Sequence, residues 1–264
     1  MPAIPIYQVD AFAESVFAGN PAAVCPLDAW LDDATLQRVA AENNLSETAF
    51  FVARDDGAYD LRWFTPTVEV PLCGHATLAS GHVVLNHLDP DRDAVTFHSQ
   101  SGPLAVRRDG TRLSLDFPAY PPARVEDEGL LERVAGALGA RPTSLMRHEM
   151  LIAVYDDEAT VAGLRPDIAA VAAADADSIA ATAPGDAVDF VSRFFAPHYG
   201  IPEDPVTGAL HTRLVPYWAA RLGKDDLTAR QISARGGALW CRLAGERVRL
   251  AGHAADYMTG TIRL

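Results

Sequence analysis

An α+β fold built from two pseudo-symmetric halves follows from three observations on this 264-residue chain. The first is a repeated motif. Arg62-Trp63-Phe64-Thr65-Pro66, followed by Glu69-Val70-Pro71-Leu72-Cys73-Gly74, is echoed by Arg193-Phe194-Phe195-Ala196-Pro197, followed by Glu203-Asp204-Pro205-Val206-Thr207-Gly208. The Arg and Pro pairs of the first pieces stand 131 residues apart, and the Glu, Pro and Gly pairs of the second pieces stand 134 apart, so a three-residue insertion separates two parallel copies. The second observation is length: two copies at a domain-sized spacing in a chain of this size mean a duplicated domain and not a solenoid. The third is that strand-like and helix-like patterns alternate within both halves. The halves are assigned to residues 1–118 and 119–264, joined at Pro118-Ala119-Tyr120-Pro121-Pro122, with the last strand free to cross back to the first half.

Taken in order, Ile4 to Phe12 alternates as an opening strand, Phe17 to Pro21 is a turn, and Ala22 to Cys25 is the return strand. Asp32 or Asp33 caps a helix through Leu36, Val39 and Ala40 that ends at Asn43-Asn44. Leu45 to Val52 and Tyr59 to Phe64 are strands, and Gly74 opens a helix. A hairpin at 94–98 and 104–108 and a strand at 112–117 close the half. The second half reads as helix 129–138, strand 150–155, helix 166–174, strand 188–195 and a helix from Gly208. Late strands fall near 231–233, 238–243, 247–250 and 257–264.

Composition narrows the function classes. The chain is 49% apolar and 22% charged, as in globular proteins, without an apolar run long enough to span a bilayer. A net charge of −13 weighs against a nucleic-acid partner. Met1-Pro2-Ala3-Ile4-Pro5 lacks the basic and apolar regions of a signal peptide, and Cys25, Cys73 and Cys241 are too few and too scattered for a disulfide framework. The expected setting is the cytoplasm, away from membranes. The eight histidines show no zinc-binding spacing and no Gly-rich phosphate motif follows a strand, so neither metal nor nucleotide is expected.

The repeat is most informative where chemistry enters it. Each copy ends an aromatic strand at a Pro and opens a helix at a Gly, Gly74 or Gly208. A Gly there lets a ligand reach first-turn N–H groups that lack intrahelical partners, and the helix dipole favours an anion. The copies then diverge. Glu47 corresponds to Ser178 at the 131 offset, while His75 corresponds to Ala209 and Asp204 to Val70 at the 134 offset. The first half thus supplies Glu47 and His75, and the second supplies Asp204, a set suited to proton transfer on a small anionic substrate. Singly, each has an ordinary reading: a solvated strand carboxylate, a helix-start histidine, a turn-initiating Asp-Pro.

Several stretches together resemble the PhzF-like isomerase family of phenazine biosynthesis, within the diaminopimelate-epimerase-like fold. They are Asp10 to Val24 with Gly19-Asn20-Pro21, Asn44-Leu45-Ser46-Glu47-Thr48-Ala49-Phe50, Phe64-Thr65-Pro66 through Cys73-Gly74-His75-Ala76-Thr77, Glu203 to Gly208, and Gly252-His253-Ala254. The resemblance covers essentially the whole chain. It implies two similar domains, each a mixed sheet or barrel wrapped around a central helix, with the active site between them, no cofactor, and a homodimer. It implies that Glu47 is the acid/base moving a proton between carbons, that His75 and Asp204 position the substrate, and that N–H groups near Gly74, Gly208 and Ala209 hold a carboxylate. The reaction of the typical member is isomerisation of a dihydro-hydroxyanthranilate. Two departures stand out. Ala209 replaces a frequent Ser, which motivates an alternative reading as a non-catalytic binder of anionic metabolites. Cys73 sits where epimerases of this fold keep one catalytic thiol, but the second position is Thr207, which weighs against a Cys73-dependent epimerase.

Overall fold

The computed structural model describes residues 3–264. The chain divides into two compact units: the residues through Phe117 together with Leu250–Leu264, and Pro118–Arg249. The half assigned to 119–264 therefore gives up its last stretch to unit 1.

Unit 1 runs β1 (Ala3–Ala11), β2 (Asn20–Leu27), α1 (Asp33–Asn43), β3 (Glu47–Ala53), β4 (Tyr59–Phe64), the two-residue β5 (Glu69–Val70), α2 (Gly74–Val83), a π turn at Val84–Leu88, β6 (Ala94–Ser99), β7 (Gly102–Asp109) and β8 (Arg112–Pro118). β1 pairs antiparallel with β2, β2 parallel with β3, and β3 antiparallel with β4. β4 then pairs parallel with β6, which forms a hairpin with β7. Helix α1 starts where a side chain can accept its first N–H groups: Asp32, not Asp33, is the cap, accepting from Thr35 N at 2.9 Å. Asn44 ends it in the left-handed conformation that Asn tolerates.

The sheet is covered on both faces. Ile4, Ile6, Ala23, Cys25, Phe50 and Phe64 pack with Leu36, Val39 and Ala40 of α1. On the other side lies α2, every residue of which is buried. A helix buried all round needs small side chains, and Gly74, Ala76, Ala79, Ser80 and Gly81 supply them. Gly81 is the tightest point, because a Cβ there would lie 2.4 Å from Cγ1 of Val106 on β7.

Unit 2 runs β9 (Ala123–Val125), α3 (Glu128–Leu138), β10 (Ser144–His148), β11 (Met150–Val154), α4 (Glu158–Gly163), α5 (Ile168–Ala172), β12 (Ile179–Pro184), β13 (Phe190–Phe195), a short 3-10 turn at Pro197–Tyr199, α6 (Gly208–Leu222), β14 (Asp226–Gln231), β15 (Gly237–Ala244) and β16 (Arg247–Gly252), whose last three residues belong to unit 1. The final strand, β17 (Ala254–Arg263), pairs antiparallel with β1 and completes unit 1.

Pairing in unit 2 repeats unit 1: β10 antiparallel to β11, β11 parallel to β12, β12 antiparallel to β13, β13 parallel to β14, and a β14–β15 hairpin. Even the register repeats. Thr48 faces Phe64 across β3–β4, and Ile179 faces Phe195 across β12–β13, both shifted by 131. The core of unit 2 gathers Val134 and Leu138 of α3, Leu151, Ile179, Ala181, Val191 and Phe195. In α6, Trp218 stacks on Phe190 with ring centroids 5.8 Å apart and donates from Nε1 to Thr182 Oγ1.

Several elements differ from the sequence expectation. β12 carries no alternation because its first five residues, Ile179 to Ala183, are all buried, and three of them are Ala, a weak strand former. β14 lies at 226–231, and the 231–233 assignment catches only its last residue. The single helix expected over 166–174 is the five-residue α5, preceded by the separate α4. β10 was hidden because Glu149 alone separates it from β11. No helix among the described residues is long and apolar enough to cross a membrane.

Candidate active site

In unit 1 the parallel register of β2 and β3 sets Glu47, the first residue of β3, opposite Ala22, two residues after Asn20. The turn before Asn20 depends on Gly19, whose φ is +65° and whose absent Cβ would lie 2.2 Å from the carbonyl oxygen of Ala11. Cys73, extended at φ −143° and ψ 112°, starts α2 without a side-chain cap, and His75 is the second helical residue. Glu47 is 9% exposed and His75 4%.

These elements bring Glu47, Cys73 and His75 into one buried cluster. Glu47 Oε2 lies 3.1 Å from His75 Nε2. The approach is off the line of a hydrogen bond, and neither atom has another hydrogen-bond partner. On the other side of the ring, His75 Nδ1 lies 3.2 Å from Asn20 Nδ2 and 3.4 Å from Cys73 Sγ. Nδ1 thus faces Asn20 and Cys73, and Nε2 faces the carboxylate.

Burial, the largest single influence, pulls the His75 pKa down; the interactions with Cys73 and Glu47 push it up and prevail, leaving it well above the ordinary histidine value. The Cys73 thiol is itself pushed up to about 11, by burial first and by the Glu47 carboxylate second. At neutral pH it is a thiol, so the carboxylate is the charge that holds a proton on His75. A buried carboxylate oxygen without a hydrogen bond costs on the order of 1–3 kcal/mol. Folds retain such groups where chemistry needs them.

Unit 2 builds its own set around the same turn. Asp204 is 7% exposed; its backbone N–H donates to Phe194 O at 2.9 Å and its Oδ2 accepts from Thr207 Oγ1. Gln231, fully buried at the end of β14, ties the loop down: Nε2 donates to Asp204 O at 2.7 Å, and Oε1 accepts from Thr207 N at 2.9 Å. Thr207 precedes Gly208 as Cys73 precedes Gly74, again without a side-chain cap, and Ala209 follows. His211 Nδ1 donates to Thr207 O at 2.8 Å, and burial pulls its pKa down to about 4, so the ring is neutral.

Of the residues expected from sequence, Glu47, Gly74 and His75 are thus gathered in unit 1, and Asp204, Gly208 and Ala209 in unit 2. Sequence reasoning did not single out Asn20 or Gln231. Asn20 was signalled by Gly19-Asn20-Pro21, where a left-handed Gly aims the next side chain. Gln231 gave no signal, because its contacts bridge 24 and 27 residues.

Among the described residues, two clusters have ligand atoms close enough together for a metal: Glu47, Cys73 and His75, and His82, His87 and Asp256. The second was invisible in the spacing of the histidines, since Asp256 arrives on β17. Its chemistry is already committed. Arg108 Nη1 donates to Asn86 Oδ1 at 3.0 Å, which turns the Asn86 amide N–H to His82 Nδ1 at 2.8 Å. His82 then carries its proton on Nε2 and donates to Asp256 Oδ1 at 3.1 Å. The nitrogen a metal would need is occupied by that proton.

The chain has two α+β units, each built on a Gly-opened buried helix, one with a Glu–His pair at its start, and three of its relatives, at 41–53% identity, are named isomerases. The chain belongs to the family described as phenazine biosynthesis-like protein, whose model matches residues 9–260. It is 53% identical to an uncharacterised isomerase of Pseudomonas aeruginosa over 99% of both chains. Its fold matches the crystal structure of a PhzF-family phenazine biosynthesis protein from Enterococcus faecalis with a TM-score of 0.96, at 46% identity over the whole of both chains. A hydroxyproline epimerase from Agrobacterium vitis shares the fold alone, at a TM-score of 0.63 and 10% identity, with 98% of this chain and 92% of that one covered.

Proposed function

We propose that this isomerase moves a proton between carbons of a small cyclic or amino/hydroxy acid, without a cofactor, using Glu47 as the acid/base. The observation that carries this reading is the buried Glu47 carboxylate, with Oε2 lacking a hydrogen bond and His75 Nε2 3.1 Å away. The carboxylate takes a proton from one carbon, becomes a carboxylic acid, and returns the proton to another carbon; the enzyme ends as it began. His75, holding a proton on Nε2, stabilises negative charge that develops on the substrate. Asn20 keeps the ring turned for that role. Asp204, Gly74, Gly208 and Ala209 are assigned to substrate binding, the last three through the N–H groups at the starts of their helices.

A thiol mechanism is disfavoured by the Cys73 pKa of about 11, because the thiolate is the reactive form. The net charge of −13 fits a small metabolite and not a nucleic acid, and we place the enzyme in the cytoplasm, as a homodimer. The test is product NMR on a panel of cyclic and amino-hydroxy acids that includes dihydro-hydroxyanthranilate, with wild type, Glu47→Gln and Cys73→Ser side by side. Bond migration lost only in Glu47→Gln supports the reading. Migration lost in Cys73→Ser and kept in Glu47→Gln refutes it.

A further inference from the structure

Two arginines grip a glutamate with both prongs of the guanidinium, and the buried Arg213 meets its glutamate differently. Arg62 donates from Nε and Nη2 together to Glu69, at 2.8 and 2.7 Å. Arg193 does the same to Glu203, at 2.7 and 2.9 Å. This two-pronged fork is the geometry by which a guanidinium matches a carboxylate. At Arg213, one turn into α6, Glu149 takes Nη2 alone. Nε is buried and has no hydrogen-bond partner.

The environment of Arg213 explains why half of the fork matters. The residue is 6% exposed, so a charged group has been taken almost wholly out of water, at a large desolvation cost. Nη1 donates to Ala209 O at 2.9 Å and Thr212 Oγ1 at 2.8 Å. The guanidinium carbon lies 4.6 Å from the centre of the Tyr120 ring, which in turn lies 5.1 Å from the His148 ring. The Tyr120 backbone N–H donates to Thr212 O, fixing that ring to the same helical turn. His148 Nδ1, like Arg213 Nε, is buried without a hydrogen bond.

The anion is of the opposite kind. The Glu149 side chain is 74% exposed. Glu149 is the single residue between β10 and β11, at φ +62°, the left-handed region that a Glu enters at a cost. An exposed carboxylate on such a turn holds a cation weakly and leaves it readily.

We propose that Arg213, with Tyr120 and His148, binds the carboxylate of a small cyclic or aromatic acid, which takes both Nε and Nη2 as Glu149 withdraws to solvent. The guanidinium reads the carboxylate and the two rings face the ligand's ring. The site lies wholly within unit 2 and does not depend on Glu47 turning over a substrate, so it is tested by binding alone.

The experiment is calorimetric titration of the full chain with benzoate, and with acetate as the ring-less control. Wild type should bind benzoate saturably. Glu149→Asn, which keeps a residue tolerant of the left-handed conformation and removes the competing charge, should bind about tenfold tighter. Arg213→Lys, which keeps the charge and loses the fork, should bind about tenfold weaker, and Arg213→Gln should not bind. If Arg213→Gln fails to fold, the Lys variant decides. No saturation in either wild type or Glu149→Asn overturns the proposal. So does benzoate affinity unchanged in Glu149→Asn and Arg213→Lys, with only the melting temperature lowered, since that is a structural ion pair. Equal affinity for acetate and benzoate overturns the role of the rings.

Discussion

The first turn of α2 and the first turn of α6 share one frame. In each unit an Arg–Glu fork brackets the loop, and the guanidinium carbon of Arg62 or Arg193 lies 5.1 Å from the ring of Phe64 or Phe195, two residues on. In each helix the residue four after the cap closes the turn with its side chain. Thr77 Oγ1 donates to Cys73 O at 2.5 Å, and His211 Nδ1 to Thr207 O at 2.8 Å. What differs is the reactive set. The α2 turn carries His75 facing Glu47; the corresponding positions in unit 2 are Ala209 and Ser178, and Asp204 stands where unit 1 has Val70. The lesson is that duplication kept the scaffold that opens each helix, while the side chains facing that opening diverged.

The sharpest way to break this comparison is to change the same position in both units. Glu47→Gln should lower kcat by roughly 10²- to 10⁴-fold, the usual range for losing a positioned acid/base. Ser178→Ala should leave turnover unchanged in the same steady-state assay. A comparable loss in both would mean that the strand start matters for folding and not for chemistry.

The forks come next. Arg193 is the more buried, and it also donates to Val161 O and Leu164 O, at 3.3 and 3.0 Å. Arg193→Met should therefore destabilise by about 3 kcal/mol. Arg62 is more exposed and shares itself with the largely exposed Asp33, so Arg62→Met should cost only about 1 kcal/mol in chemical denaturation. The reverse order would contradict the geometry.

The two helix-start histidines should give stability of opposite pH dependence. His211 has a folded pKa of about 4 against about 6.5 unfolded, so the stability it contributes is present above pH 6.5 and is lost as pH falls through 4, by about 3 kcal/mol in all. His75 is shifted the other way; its contribution is complete below about pH 6.5 and is lost as pH rises through its folded pKa. Melting curves across pH should show the acid loss flattened in His211→Gln and the alkaline loss flattened in His75→Asn.

The remaining contrast concerns how closely each helix packs against its neighbours. Gly81 of α2 meets Val106, whereas α6 carries the fully buried Val215 at the corresponding place. Gly81→Ala should overpack and cost about 1–3 kcal/mol in thermal unfolding, whereas Val215→Ala should cost by leaving space.

Much of this was legible in the residues. The repeat located both Gly-opened helices, because local turn chemistry fixes that spacing, and it contained the Arg and Glu of both forks without announcing that they pair. The Glu47–His75 pairing was legible through the places where the repeat breaks. What escaped were features set by long-range packing. β12 is Ala-rich and buried on both faces, so it lacks the alternation that marks a half-buried strand. Gln231 acts on a loop more than twenty residues away, and Asp256 joins His82 and His87 only because β17 returns to pair with β1. Arg213 was not singled out, since nothing near it in sequence announces that it is buried.

The central claim is that Glu47 carries a proton between two carbons. The most direct measurement is turnover in D₂O, with the position of deuterium in the product read by NMR for wild type and Glu47→Gln. The account predicts deuterium at the accepting carbon, or transfer of the substrate's own hydrogen to it, in the wild type, and neither in Glu47→Gln. Product with the same label pattern and rate in Glu47→Gln would contradict it.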